Sequence, residues 1–352
     1  MEQRLIDWSG NNLPTLGPKS VAVVLTNACN LSCVTCWSYS PLLTNTKPTI
    51  SWKKQHLSFE LLPTLFSQLR DMQVERIILT GGGDPLAYPK FEEAVQLIHQ
   101  NKLKTTLISN LSLVRDVVSF KNLQIDTILA NCSAVDSKSY INFHHNRTAV
   151  DFEKFKSILE QLSETTKQLK LVFVICRINA HLLSQFLEFA ATLRANVQFK
   201  LMSIAAETQA VAITEPIKEN LLQEIPHLTQ IAKQLNIKTN LDTLASALQG
   251  ETATSFPIEK TGCSAGYFYA RITAAGEVLF CCNPNKLLKI GSLFQNSFKE
   301  LWDGERWQEI RLQLHQNHFF NGCERCGKFD LNLVNFQKIT LGAKTDSLLA
   351  GS

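Results

Sequence analysis

The stretch Val21-Ala22-Val23-Val24-Leu25-Thr26-Asn27-Ala28-Cys29-Asn30-Leu31-Ser32-Cys33-Val34-Thr35-Cys36-Trp37 decides how the rest of the chain is read. Val21–Thr26 is aliphatic and β-branched, the make-up of a buried strand, and it ends at Asn27. Three cysteines follow in the loop that leaves it, spaced CxxxCxxC. Downstream, helical spacing over Phe59–Met72 gives way to a strand at Arg76–Thr80, then a helix at Phe91–Asn101 and a strand at Thr105–Ser109. Thr127–Asn131, Leu169–Cys176 and Val197–Met202 read as strands, with helices at Phe152–Thr166 and His181–Leu193 between them. Six strands alternating with helices predict an α/β fold, a parallel sheet with helices outside. Periodicity does not decide whether it closes into a barrel.

After Met202 the rhythm changes. Ala205–Glu215 reads as a loop and Pro216–Leu235 as helical around a break at Pro226. Beyond Gly250 come short strands, Tyr267–Ile272 and Val278–Cys281, and one helix over Ser297–Gln313. These signals divide the chain into an extension (1–20), a core (21–240), a small cysteine-rich α+β domain (241–340) and a flexible tail (341–352).

Length and composition are those of an ordinary globular chain: 352 residues, 45% hydrophobic and 19% charged, enough for a sizeable core without disulfides. A net charge of +4 tolerates an anionic substrate but leaves no nucleic-acid footprint. No apolar run approaches the ~18 residues of a membrane span, and residues 1–20 lack a secretory h-region. The chain therefore reads as cytoplasmic, with its ten cysteines kept as thiols. Cys132 and Cys176 lie in apolar strand-like runs and read as small buried hydrophobes.

Cys29, Cys33 and Cys36 are close enough to hold three irons of a cubane cluster and leave the fourth open to a chelating ligand. A structural zinc site would want a fourth ligand that nothing nearby offers. CxxxCxxC after the first strand, followed by Trp37, resembles the signature of the radical S-adenosylmethionine superfamily. That resemblance implies a partial (β/α)6 barrel like part of a TIM barrel. It also implies a [4Fe–4S] cluster whose open iron chelates S-adenosylmethionine, and reductive cleavage to a 5′-deoxyadenosyl radical that takes hydrogen from a substrate. Trp37 would pack by the cluster and adenine. Gly81-Gly82-Gly83-Asp84-Pro85, closing the second strand, is similar to the family's GGEP segment for the methionine amino group, with Asp84 in place of Glu. Its glycines would let backbone approach a ligand closely, and Asp84 would receive the ammonium group. Ser109-Asn110 resembles the ribose-contacting Thr-Asn-Gly, with Leu111 in place of Gly. Ser133 and Arg177 end later strands where the family places further ligand contacts. All lie at C-terminal strand ends, the face on which barrel active sites gather.

Cys263, twelve residues, Gly276, four residues and Cys281 form a second spaced pattern, closed by Cys323 and Cys326. From chemistry alone four thiolates serve a second [4Fe–4S] cluster or a four-cysteine zinc site. The spacing, with Phe298–Trp302, is similar to the SPASM domain that carries auxiliary clusters. No cysteine follows Cys326, so the resemblance is to the shortened twitch form with one auxiliary [4Fe–4S] cluster. Cys281 keeps the Gly-x4-Cys spacing, and Cys282 is its alternative.

The expected activity is hydrogen abstraction from a small molecule of sugar, aminocyclitol or nucleotide-sugar type, giving oxidation or rearrangement. A peptide maturase is the second reading. Against it, only about twenty residues precede the first strand, so no leader-recognition domain fits there. A non-catalytic zinc protein is the third, and the three-ligand first group weighs against it. A flavodoxin or ferredoxin is the electron donor the family implies, with no nucleic-acid or membrane partner. His144, His145, Arg147, Tyr267, Tyr269 and Arg271 are polar groups without a catalytic role fixed by the sequence. Replacing Cys29, Cys33 or Cys36 by Ala is expected to abolish 5′-deoxyadenosine formation. Product release by all three variants would remove the first-cluster reading.

Overall fold

The computed structural model describes residues 2–164, 168–204, 206–252, 255–283 and 285–349. Among the described residues the nine strands are β1 (Ser20–Val24), β2 (Arg76–Thr80), β3 (Lys104–Ser109), β4 (Thr127–Asn131), β5 (Leu169–Ile175), β6 (Asn196–Leu201), β7 (Tyr269–Ile272), β8 (Glu277–Leu279) and β9 (Lys289–Ser292). They form one sheet in the order β6-β5-β4-β3-β2-β1-β7-β8-β9. β1 to β6 run parallel, as the alternating pattern predicts, and the sheet curls into a partial barrel that does not close. β7 adds in parallel to the free edge of β1, with Ser20 opposite Tyr269. β8 and β9 return antiparallel.

Alternation along each strand sorts its side chains between two environments. Val21, Val23, Ile77, Leu79, Leu107, Ile128, Leu171, Phe173, Val197 and Phe199 turn toward the outer helices and join one core with Leu62, Leu65, Phe66, Phe186 and Leu187. The intervening residues face the barrel interior. Phe298, Trp302 and Trp307 belong to the same core, so the cysteine-rich segment shares its interior with the barrel. The N-terminal residues also dock: Leu5 and Trp8 pack with Tyr267 and Phe268, and buried Arg4 donates from Nε to the Gly17 carbonyl and from Nη2 to that of Gln73.

Several boundaries differ from the sequence reading. Ala206–Val211 is a 3-10 helix inside the expected loop. The helix Glu215–Gln234 runs unbroken through Pro226, because the proline lies on the exposed side while Leu221, Ile225, Leu228 and Ala232 anchor the other face. The expected Ser297–Gln313 helix is two, Phe298–Asp303 and Glu305–His315, parted where Gly304 is extended at φ −70° and ψ 155°. Tyr267 and Phe268 end a helical turn, Ala265–Phe268, rather than opening a strand. The segment expected as a flexible tail continues the helix Phe329–Leu349. The expected helix end at Thr166, the expected loop start at Ala205 and residues 350–352 lie outside the described residues.

Phe173 stands between Phe186 and Phe199, with ring centroids at 4.5 and 6.1 Å, and is fully buried. Phe173→Ala is expected to lower unfolding stability by about 3–5 kcal/mol, read from the denaturant midpoint.

Candidate active site

The backbone leaving β1 folds into a loop that carries Cys29, Cys33 and Cys36, all half-buried. Local hydrogen bonds set their sulfurs. The Leu31 amide donates to Cys29 Sγ at 3.5 Å, and the Tyr39 amide donates to Cys36 Sγ at 3.3 Å. Cys36 Sγ also lies 3.4 Å from the Ser38 hydroxyl, which donates to the Gly82 carbonyl at 2.9 Å. Cys33 Sγ lies 3.1 Å from His144 Nδ1. Burial pushes the Cys29 thiol up to about 12 and the Cys33 thiol well above its usual value, with Asp84 and the other cysteines adding repulsion. Burial of this kind disfavours a bare thiolate, so a polycation among the sulfurs is what would hold them ionised.

The glycine segment is laced to this loop. Gly83 N–H donates to the Thr26 carbonyl at 3.3 Å, and Asp84 N–H to that of Ala28 at 2.8 Å. A Cβ on Gly83 would sit 1.9 Å from the Ala28 oxygen, and one on Gly82 would sit 2.2 Å from Asn27 Oδ1. These glycines are therefore demanded by chain packing on chain, where the sequence reading had a ligand. Asp84 differs from expectation as well. Only 3% exposed, it accepts from Ser109 Oγ at 3.0 Å on both oxygens, from Asn110 N–H at 2.8 Å and from Leu86 N–H at 3.0 Å. Burial raises its pKa, and the hydrogen bonds oppose that shift. The carboxylate is a brace that takes three donors, Ser109, Asn110 and Leu86, from the strand ends around it.

Asn110 follows at the end of β3, its amide 3.4 Å from Asn30 Oδ1. Leu111, the departure from glycine, holds φ at 57° while fully buried, a left-handed backbone that glycine adopts without strain. Ser133 is buried, and its hydroxyl accepts from Val174 N–H at 3.0 Å. Trp37 is 46% exposed and edge-on to Trp52, with centroids 5.4 Å apart. Arg177 is exposed on the rim, its amide bonded to the Val211 carbonyl at 2.8 Å. The sequence reading missed Asn30 as a junction. Its carbonyl accepts from Asn146 Nδ2 and Arg147 Nη2, each at 2.8 Å, and its side-chain amide donates to Ser112 Oγ at 2.8 Å. Its place inside the cysteine motif was the available signal.

The second group gathers Cys263, Cys281, Cys323 and Cys326 with Cys282 among them. A Cβ on Gly327 would meet Cys282 Sγ at 2.9 Å. Burial raises the Cys263, Cys281, Cys323 and Cys326 thiols, and each also feels the charge of Cys282. Asn332 Nδ2 lies 3.6 Å from Cys326 Sγ, and Asn283 Nδ2 lies 3.8 Å from Cys323 Sγ. Lys328 Nζ stands 3.8 Å over the Tyr269 ring, near Cys282, Cys326 and Cys281. Among the described residues no three His, Cys, Asp or Glu side chains converge as one metal ion requires. A cubane instead lets each sulfur ligate its own iron, so both donor sets suit iron–sulfur clusters.

Comparison with known proteins agrees. Residues 23–192 match the radical SAM superfamily, and residues 263–327 match the SPASM iron–sulfur cluster-binding domain. No curated protein matches the chain. Among solved structures, SuiB from Streptococcus suis bound to S-adenosylmethionine is similar at 16% identity and a TM-score of 0.65, over 84% of this chain and 68% of that one. SuiB bound to the precursor peptide SuiA gives 18% identity and a TM-score of 0.65, over 88% and 69%. The protein anSMEcpe with bound AdoMet gives 14% and 0.62, over 89% and 88%. No helix among the described residues is long and apolar enough to cross a membrane.

Gly83→Ala is expected to part the glycine segment from Ala28 and reduce iron uptake at the first group. Iron analysis of reconstituted protein checks this, with wild-type iron content as the contrary result.

Proposed function

Because the chain belongs to the radical SAM superfamily and carries a SPASM domain, we propose that it abstracts hydrogen from a small anionic molecule bound inside the barrel, a nucleotide-linked sugar being the favoured type. The protein is a radical-generating enzyme that uses an S-adenosylmethionine-binding [4Fe–4S] cluster, and its SPASM domain implies auxiliary iron–sulfur. Cys29, Cys33 and Cys36 would hold the first cluster, and Cys263, Cys281, Cys323 and Cys326 the second. When bound, the first cluster supplies the electron that releases the 5′-deoxyadenosyl radical. The backbone oxygens of Gly81–Gly83 would receive the methionine ammonium, Asn110 and Ser133 would line the nucleoside, and Trp37 and Arg177 would flank it at the rim. Ten unpaired thiols suit a reducing cytoplasm, where a flavodoxin or ferredoxin would deliver the electron.

One observation carries the substrate charge. The strand faces turned away from the helices bear Arg76, Lys170, Lys200 and Arg271, since their neighbours Ile77, Leu79, Leu169, Leu171, Val197, Phe199, Ala270 and Ile272 fill the outer core. Asp330 pairs with Lys200 at 2.8 Å. Among the described residues Arg76, Lys170 and Arg271 have no ion-pair partner. Arg76 Nε and Thr106 Oγ1 are buried without a hydrogen-bond partner. Burial depresses the Lys170 ammonium, and nearby Arg76 and Lys238 depress it further. Half-buried cations that repel one another are stabilised by an oxyanion placed among them.

A peptide is the competing substrate, since SuiB is solved with its precursor peptide. That likeness carries the fold alone. Outside the two groups only Cys132, Cys176 and Cys282 remain, fewer thiols than another fully ligated cluster uses, which leans toward a small molecule.

Deuterium transfer into 5′-deoxyadenosine separates the two. Deuterated nucleotide sugars are expected to label the product, with Lys170→Met raising KM several-fold while S-adenosylmethionine affinity holds. Labelling from deuterated peptides and from no sugar would overturn the small-molecule proposal.

A further inference from the structure

His144 ends the helix Ser137–Phe143, far along the chain from the cysteine motif, yet it is welded to it. Val34 N–H donates to the Phe143 carbonyl at 3.0 Å, and His145 N–H to that of Ser32 at 3.2 Å, so Cys33 and His144 pair as an isolated β-bridge. Asn146 Oδ1 accepts from Ser32 N–H at 2.8 Å, which fixes the next turn of the loop. The imidazole is 2% exposed, held between Tyr140 at 4.5 Å and Phe143 at 5.0 Å between centroids. Its Nε2 is buried and has no hydrogen-bond partner. The ring therefore has one polar contact, Nδ1 to Cys33 Sγ at 3.1 Å.

A sulfur that ligates iron is a thiolate, which only accepts hydrogen bonds. Facing such a sulfur, Nδ1 must carry the proton, since two lone pairs at that distance would repel. We propose that His144 Nδ1–H donates a hydrogen bond to the Cys33 sulfur and is a positioning residue that raises the reduction potential of the S-adenosylmethionine-binding cluster. This rests on Cys33 being a ligand of that cluster. The hydrogen bond draws electron density from the sulfur, so it stabilises the reduced and more negative cluster over the oxidised one. Arg147 donates to the Asn30 carbonyl within the same loop and is paired with Asp151 at 3.6 Å, so it adds little net charge there. The consequence of the His144 hydrogen bond is a cluster that its donor reduces more readily, at some loss of driving force for cleaving S-adenosylmethionine. His144 is thereby removed from the candidate acids and bases for substrate.

The test uses full-length protein reconstituted without oxygen. The EPR signal that S-adenosylmethionine perturbs is titrated against potential in wild type, His144→Phe and His144→Asn. His144→Phe is expected to move the midpoint to more negative potential, and His144→Asn, whose amide N–H reaches the Nδ1 position, to bring it back. A wild-type midpoint in His144→Phe with full iron content would overturn the inference. Should His144→Phe fail to take up iron, pulsed EPR on wild type labelled with 15N-histidine decides. A histidine nitrogen coupled to the reduced cluster supports the hydrogen bond, and no coupling overturns it. Absence of any signal perturbed by S-adenosylmethionine in wild type would instead strike the cluster reading beneath it.

Discussion

The fold converges on the buried carboxylate of Asp84. It takes hydrogen bonds from Ser109, Asn110 and Leu86, while its own amide donates to Ala28. The ends of β1, β2 and β3 are thereby pinned to one another at the point where the cysteine loop departs. Desolvation alone would protonate or expel this group, and its hydrogen bonds are what allow it to stay. Aspartate, one methylene shorter than the glutamate expected from the family, keeps this brace inside the strand ends. The tight glycine run permits the same closeness, because any Cβ at Gly83 would collide with the Ala28 carbonyl.

The same electrostatic problem recurs at the second thiol group and is handled by different means. There the sulfurs receive amide N–H groups from Asn283 and Asn332, and Lys328 sits over Tyr269 close to three cysteines. Burial disfavours both the thiolates and the ammonium when each is alone, and together they offset one another. Cys282 lies within this field and not outside it, beside all four cysteines of the spaced pattern.

Strands were legible because their signal is compositional: Arg76–Thr80 and Thr127–Asn131 lie where their β-branched runs place them. Helix interruptions were not, because they depend on which side of the helix meets water. Pro226 is tolerated on an exposed face, and Gly304 breaks a helix whose apolar periodicity continues across it. The cysteines fall into two groups by spacing, and the chain brings each group within electrostatic reach of itself. Asn30, His144 and the partners of Asp84 were not legible, since the contacts of Asn30 and His144 span 80 to 117 residues, while Asp84 is held by Ser109 and by backbone amides that carry no sequence signature.

Topology adds a relation between the two thiol groups that neither motif contains. β7 lies parallel to β1 with Tyr269 opposite Ser20, and burial raises the Tyr269 hydroxyl pKa, with nearby Cys282 and Cys281 adding to the shift. The first group leaves from the far end of β1, after Val24. Five residues of strand separate the two levels, ~17 Å at the rise of a parallel strand. A substrate lying along the barrel interior would thus have the radical source at one end and a redox-capable centre at the other. Its cationic lining, Arg76 and Lys170 among it, would hold an anionic substrate along that axis. Orientation by charge, rather than by a tight apolar pocket, is what an unclosed barrel can supply, because its open edge between β6 and β9 gives shape complementarity less to work with.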